Sequence, residues 1–150
     1  EDPPIARVAD ALFHPERTTG ALIVARDVSA SMAHYRDVVG LRSVSRGRDG
    51  DIAVLAGSTG APCLTLVAAT SARPAGYHHA SLRVSDAADL ERSVMAAATA
   101  GVEIVSDVVA GGRRAVLVRD PDGCLTLLYA DHGTPPEPAD LGADLALRIL

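Results

Sequence analysis

Two rhythms of apolar residues alternate along the chain. Residues 21–25 form an uninterrupted apolar run, too short for an independent helix, and read as a buried strand following a connector bracketed by Pro15 and Gly20. Met32, Tyr35 and Val39 then recur at helical spacing. They predict a helix over residues 30–39, capped by Asp27 or Ser29, stopped by Gly40 and packed on a sheet through those three side chains. Strand patterns follow at 41–45, 52–55 and 63–69, punctuated by Gly50, Gly57, Gly60 and Pro62. After the turn-like residues 71–76 the same order returns. A strand at 79–84 leads to a helix capped by Asp86 and running to residue 100, with Leu90, Val94 and Ala97 on its apolar face. Strands at 102–109, 114–118 and 124–129 complete the set, joined by tight turns at Gly111-Gly112 and Asp122-Gly123.

The repetition is visible in the residues themselves. Residues 61–66 match 122–127 at an offset of 61, through a shared Cys-Leu-Thr-Leu, and residues 24–27 match 83–86 at an offset of 59. Two matched segments in one element order predict a structural duplication. The expectation is an α+β fold of two pseudo-symmetric βαβββ modules, residues 20–70 and 77–130, forming one domain. Neither half buries enough surface alone, so the open faces of two mixed four-stranded sheets come together as a cup. Residues 1–19 are an N-terminal extension with a short helix over 5–13, where Ile5, Val8, Leu12 and Phe13 share one side. Residues 131–150 are a proline-rich tail whose closing helix aligns Leu141, Leu145 and Ile149.

Composition narrows the function classes. Apolar residues make up 48% of the 150, enough for a core despite one Phe and no Trp. The 14 basic residues are all Arg and the net charge is -5, which disfavours a nucleic-acid partner bound through a basic face. The nearest approach to a basic cluster, Arg42, Arg46 and Arg48, is followed at once by Asp49 and Asp51. No apolar run is long enough to span a bilayer, so no membrane partner is expected. The acidic start, Glu1-Asp2-Pro3-Pro4, lacks the features of a signal peptide, and the expected location is cytoplasmic. Cys63 and Cys124 make no disulfide framework and read as small buried hydrophobes.

Asp27, Ser31 and residues 35–41, then residues 79–86, Gly101-Val102 and residues 120–123, together resemble the vicinal oxygen chelate superfamily over about residues 18–130. That superfamily includes glyoxalase I, bleomycin-resistance proteins and extradiol dioxygenases. The resemblance implies paired modules around a central cup, commonly in a homodimer. It also implies four metal-ligand positions, which fall here on Gly20, Leu66, His79 and Leu127. Only His79 can coordinate, and the Asn and carboxylate usual in the last strand are replaced by Cys124 and Leu127. A divalent site normally takes three or four protein ligands, so no metal and no cofactor is expected. His78 is expected to point away from His79, because successive strand residues face opposite sides.

Alternation from His79 nominates Ser81 and Arg83 for the cup, with Leu22 and Val24 on the first strand and Leu64, Leu66, Leu125, Leu127 and Tyr129 on the closing strands. A mostly aliphatic trough with a few polar groups suits a hydrophobic or aromatic small molecule. The leading expectation is metal-independent binding that sequesters an antibiotic or a pathway intermediate. A second is a metal-free cyclase, isomerase or lyase using His79 and Arg83 as catalytic residues. A metal-dependent glyoxalase or dioxygenase, and a module that mainly assembles with another protein, rank below these. Tyr35 reads as core packing and Asp120 and Asp122 as turn residues.

Overall fold

The computed structural model describes residues 11–47, 49–110 and 112–132. Most of the expected helix over 5–13 and all of the tail helix lie outside the described residues. The first module is β1 (Pro15–Ala25), α1 (Val28–His34) running into a π-helical turn (Tyr35–Val39), β2 (Arg42–Arg46), β3 (Ile52–Ala56) and β4 (Pro62–Ala68). The second is β5 (Gly76–Val84), α2 (Ala87–Thr99), β6 (Ile104–Ala110), β7 (Arg113–Arg119) and β8 (Leu125–Asp131). Both are βαβββ units, as the duplication predicts. No helix among the described residues is long and apolar enough to cross a membrane.

Local chemistry sets the element ends. Asp27 accepts from the Ala30 amide at 2.9 Å and Asp86 from the Asp89 amide at 2.7 Å, satisfying first-turn donors of α1 and α2. Asp120 accepts from the amides of Asp122 and Cys124, both at 2.9 Å, and so builds the turn into β8. Tyr35 and Met32 pack on the sheet, but Val39 is 53% exposed. The wider π-helical turn rotates the side chains that follow it, and the 3.6-residue spacing no longer holds there. β1 also begins earlier than the apolar run, at Pro15, and the segment read as a connector is strand.

The strand order is β2-β3-β4-β1-β5-β8-β7-β6. Each module contributes four strands, and the antiparallel pairing of β1 with β5 joins them edge to edge into one sheet. A pseudo-twofold passes near the Ala21–Ala80 pair, exchanging Gly20 with His79 and Leu22 with Ser81. α1 and α2 cover one face through separate clusters centred on Leu55 and Leu66, and on Leu90 and Val116. The other face carries Leu22, Val24, Ile52 and Val67 in the first half and Ala115, Leu117, Leu127 and Tyr129 in the second.

Ladder register corrects the expected facing of β4. Leu22 pairs with Thr65 and Ile23 with Leu66 across the parallel β1–β4 ladder. Residues paired in this way face the same side, so Thr65 and Val67 join Leu22 while Leu64 and Leu66 join α1. In the second module His79 pairs with Leu125 and Ser81 with Leu127. The rung equivalent to Ser81–Leu127 is therefore Leu22–Thr65, an offset of 62 between the last strands rather than the 61 of the sequence match. A one-residue slip reverses every side chain of a strand.

Candidate functional site

A cavity of about 630 Å³ lies on the sheet face opposite the helices, across the β1–β5 seam. β1 supplies Arg17 to Leu22, and β3 and β4 supply Val54, Cys63 and Thr65. β5 contributes His79, Ser81 and Arg83, β7 contributes Arg113, and β8 contributes Leu127 and Tyr129. Of the residues nominated from sequence, Leu22, His79, Ser81, Arg83, Leu127 and Tyr129 meet here. Leu64 reaches the wall while packing in the α1-side cluster. Leu66 does not belong to the cavity: it is fully buried under α1, for the register reason above. Val24 lies on the cavity face but in the dry cluster with Ile52 and Val67, and Leu125 packs at the edge of the opposite cluster.

Three β-bulges shape the seam. Between Leu22–His79 and Ile23–Tyr77, β5 spends an extra residue, His78. β1 spends two, Glu16 and Thr19, further along. Such insertions re-aim side chains next to sites. The bulge overturns the expectation that His78 and His79 diverge, since their Nδ1 atoms lie 2.9 Å apart. The rings meet edge to face with centroids 5.2 Å apart. Burial, and secondarily the neighbouring His78, pushes the His79 pKa down to about 4. Burial and then Arg73 also lower that of His78. Both rings are neutral at pH 7, one Nδ1 donating and the other accepting.

Thr19, re-aimed by its bulge, accepts from the Tyr129 hydroxyl at 2.8 Å and donates to the Ser81 carbonyl at 3.3 Å. Asp131 accepts from Arg83 at 3.0 Å and from Arg113 at 2.8 Å. Arg113 also stands 5.1 Å from the Tyr129 ring centroid. Arg17, Thr19, Thr65, Arg113 and Asp131 were not nominated from sequence. Arg113 opens β7 one residue before the strand expected at 114–118, so alternation within the expected strand did not reach it.

The four pseudo-symmetric positions at the seam are Gly20, Thr65, His79 and Leu127, and all four line the cavity. Only His79 is an ordinary ligand for a first-row cation. A Cβ at Gly20 would stand 3.0 Å from the Cys63 carbonyl oxygen, so that position has little room for any side chain. Among the described residues no group of three or more His, Cys, Asp and Glu is placed to hold a metal ion. This donor set does not fit the divalent ion of the metal-dependent members of the resembled superfamily.

The model of the Glyoxalase/Bleomycin resistance protein/Dioxygenase superfamily matches residues 14–127. Among curated proteins none matches the sequence. Solved structures with the same fold include a variant of homoprotocatechuate 2,3-dioxygenase from Brevibacterium fuscum, at TM-score 0.69 and 20% identity, covering 95% of this chain and 39% of that one. The 2,3-dioxygenase LapB from Pseudomonas sp. KL28 gives TM-score 0.63 and 20% identity, covering 84% and 44% respectively. The Mn(II)-bound glyoxalase from Novosphingobium aromaticivorans gives 0.63 and 13%, covering 81% and 40%. The chain thus spans less than half the length of each.

Proposed function

The chain belongs to the glyoxalase/bleomycin resistance protein/dioxygenase superfamily, and from that premise we propose that it binds a hydrophobic small organic molecule in the seam cavity without a metal ion. The carrying observation is the set Gly20, Thr65, His79 and Leu127, which occupies the pseudo-symmetric positions at the seam while supplying one ordinary ligand for a first-row cation. Leu22, Val54 and Leu127 offer apolar surface, and each square ångström of apolar area withdrawn from water contributes about 25 cal/mol before the costs of association. Sequestration, rather than turnover, accords with the state of His79. A base with pKa near 4 abstracts protons inefficiently at pH 7.

The test uses prodan, a neutral naphthalene fluorophore, on protein dialysed against EDTA. Saturable binding that survives dialysis, and that Leu127→Asp weakens by about tenfold or more in a folded protein, is the expected result. Elemental analysis finding one tightly held metal per chain, or no saturable binding, overturns the reading. A homodimer is part of the proposal. It is supported by open sheet edges at β2 and β6, where Val44, Val105 and Val109 are exposed, and it is tested by sedimentation.

A further inference from the structure

Three guanidinium groups gather at one end of the cavity. Arg17 and Arg83 are direct cross-strand partners on β1 and β5, an arrangement that sets like charges opposite each other and destabilises a strand pair. Arg113 joins them from β7 and is 6% exposed. Two carboxylates answer them. Asp131 accepts from both Arg83 and Arg113, and Glu16 lies 3.9 Å from Arg83. One positive charge is left over, and it falls on Arg17, which has no acidic partner among the described residues. This concentration of cations occurs in a chain whose net charge is -5. Departures of this kind from favourable pairing mark functional sites.

The donors at this end are also unspent. Arg113 uses Nε on Asp131, and no described residue accepts from its remaining guanidinium N–H groups. None of its nitrogens is buried without a partner, so those donors open onto the cavity whose wall Arg113 forms. Arg17 lines the same wall.

We propose that this basic end binds the oxyanion of an amphipathic organic monoanion, such as a carboxylate. Arg17 and Arg113 are its donors, and Leu22, Val54 and Leu127 lie against its apolar body. The inference rests on the reading of the cavity as a small-molecule site and adds the charge and orientation of what it takes. A guanidinium fork matches a carboxylate in both plane and spacing. The excess of one positive charge is complementary to one negative charge, and the neighbouring Asp131 and Glu16 repel a second.

Calorimetric titration with naphthoate and with its neutral isostere naphthamide, at low and high salt, tests the proposal. Naphthoate is expected to bind about tenfold more tightly than naphthamide at low salt, and the advantage shrinks as salt is raised. Arg17→Gln is the informative variant, because Arg17 is exposed and its loss leaves the Arg113–Asp131 pair intact. It should remove most of the preference for naphthoate, read as the ratio of the two affinities in the variant against the same ratio in the parent. Equal binding of the two probes by the parent protein overturns the anion site while the apolar cavity reading stands. Binding of neither probe overturns both. A preference that survives Arg17→Gln unchanged overturns the assignment to Arg17.

Discussion

His78 and His79, adjacent on β5, hold their Nδ1 atoms 2.9 Å apart because the bulge at His78 brings both imidazoles together. The pair is stable only while at least one ring supplies a lone pair. That condition makes the folded state sensitive to acid.

With the His79 pKa lowered from 6.5 to about 4, the folded chain binds fewer protons than the unfolded chain between those values. Stability therefore rises with pH across that window, is fully present above about pH 6.5, and is lost as pH falls toward 4. The whole shift corresponds to roughly 3 kcal/mol. Thermal unfolding followed by circular dichroism should show the midpoint falling below pH 6.5, and His79→Gln should flatten that part of the profile. An equally steep fall in His79→Gln would place the acid sensitivity elsewhere.

The corrected register of β4 separates stability from binding. Leu66→Ala removes a fully buried side chain under α1 and is expected to cost about 2–5 kcal/mol with little effect on probe affinity. Thr65→Leu, on the cavity face, should alter prodan affinity at a stability cost below about 1.5 kcal/mol. Urea unfolding paired with titration reads both. The reverse pattern would return Leu66 to the cavity.

Gly20 faces a backbone atom. Adding a methyl group there places a Cβ 3.0 Å from the Cys63 carbonyl oxygen, and Gly20→Ala should lower stability by about 1–3 kcal/mol through a shift of β4 against β1. Gly20→His should be worse, and should not produce a zinc-binding protein. A stable Gly20→His protein holding one zinc per chain would contradict the close approach.

Both cysteines are exposed rather than buried as the sequence suggests: Cys63 lines the open cavity and Cys124 lies in the turn before β8. Saturating prodan should slow the reaction of Cys63 with a thiol reagent by about tenfold, while Cys124 reacts at its ordinary rate. Mass spectrometry of the labelled peptides distinguishes the two. Equal protection of both cysteines would point to a global effect of the probe.

Elements and their order were legible in the sequence because apolar periodicity and turn residues act locally. Leu90, Val94 and Ala97 declare α2 without any knowledge of the rest of the fold. The second-module cup was legible too, since β5 itself carries no extra residue from His79 through Arg83, the bulges there lying on β1, and Leu127 and Tyr129 follow in register. In the first module the identical Cys-Leu-Thr-Leu strings suggested the wrong equivalence. The repeat had slipped by one residue, and only the β1–β4 ladder reveals the slip. The His78–His79 contact and the aim of Thr19 depend on bulges, which are a property of paired strands and leave no mark on either strand alone. Asp131 lay beyond the predicted end of β8, so its bridge between Arg83 and Arg113 belonged to no predicted element.

The pseudo-twofold through Ala21 and Ala80 has a consequence for how many ways a guest can lie in its host. It maps the Arg83–Tyr129 rung onto Val24–Val67, and Asp131 onto Ala69. Were both halves alike, an elongated molecule would have two poses of equal energy, related by a half-turn. Here the symmetry-related end is filled by the packed cluster of Val24, Ile52 and Val67, and only the ionic end opens onto the cavity, so the proposed guest is expected to take one pose. The duplicated scaffold thus has two chemically different ends, an asymmetry that neither copy of the repeat holds by itself.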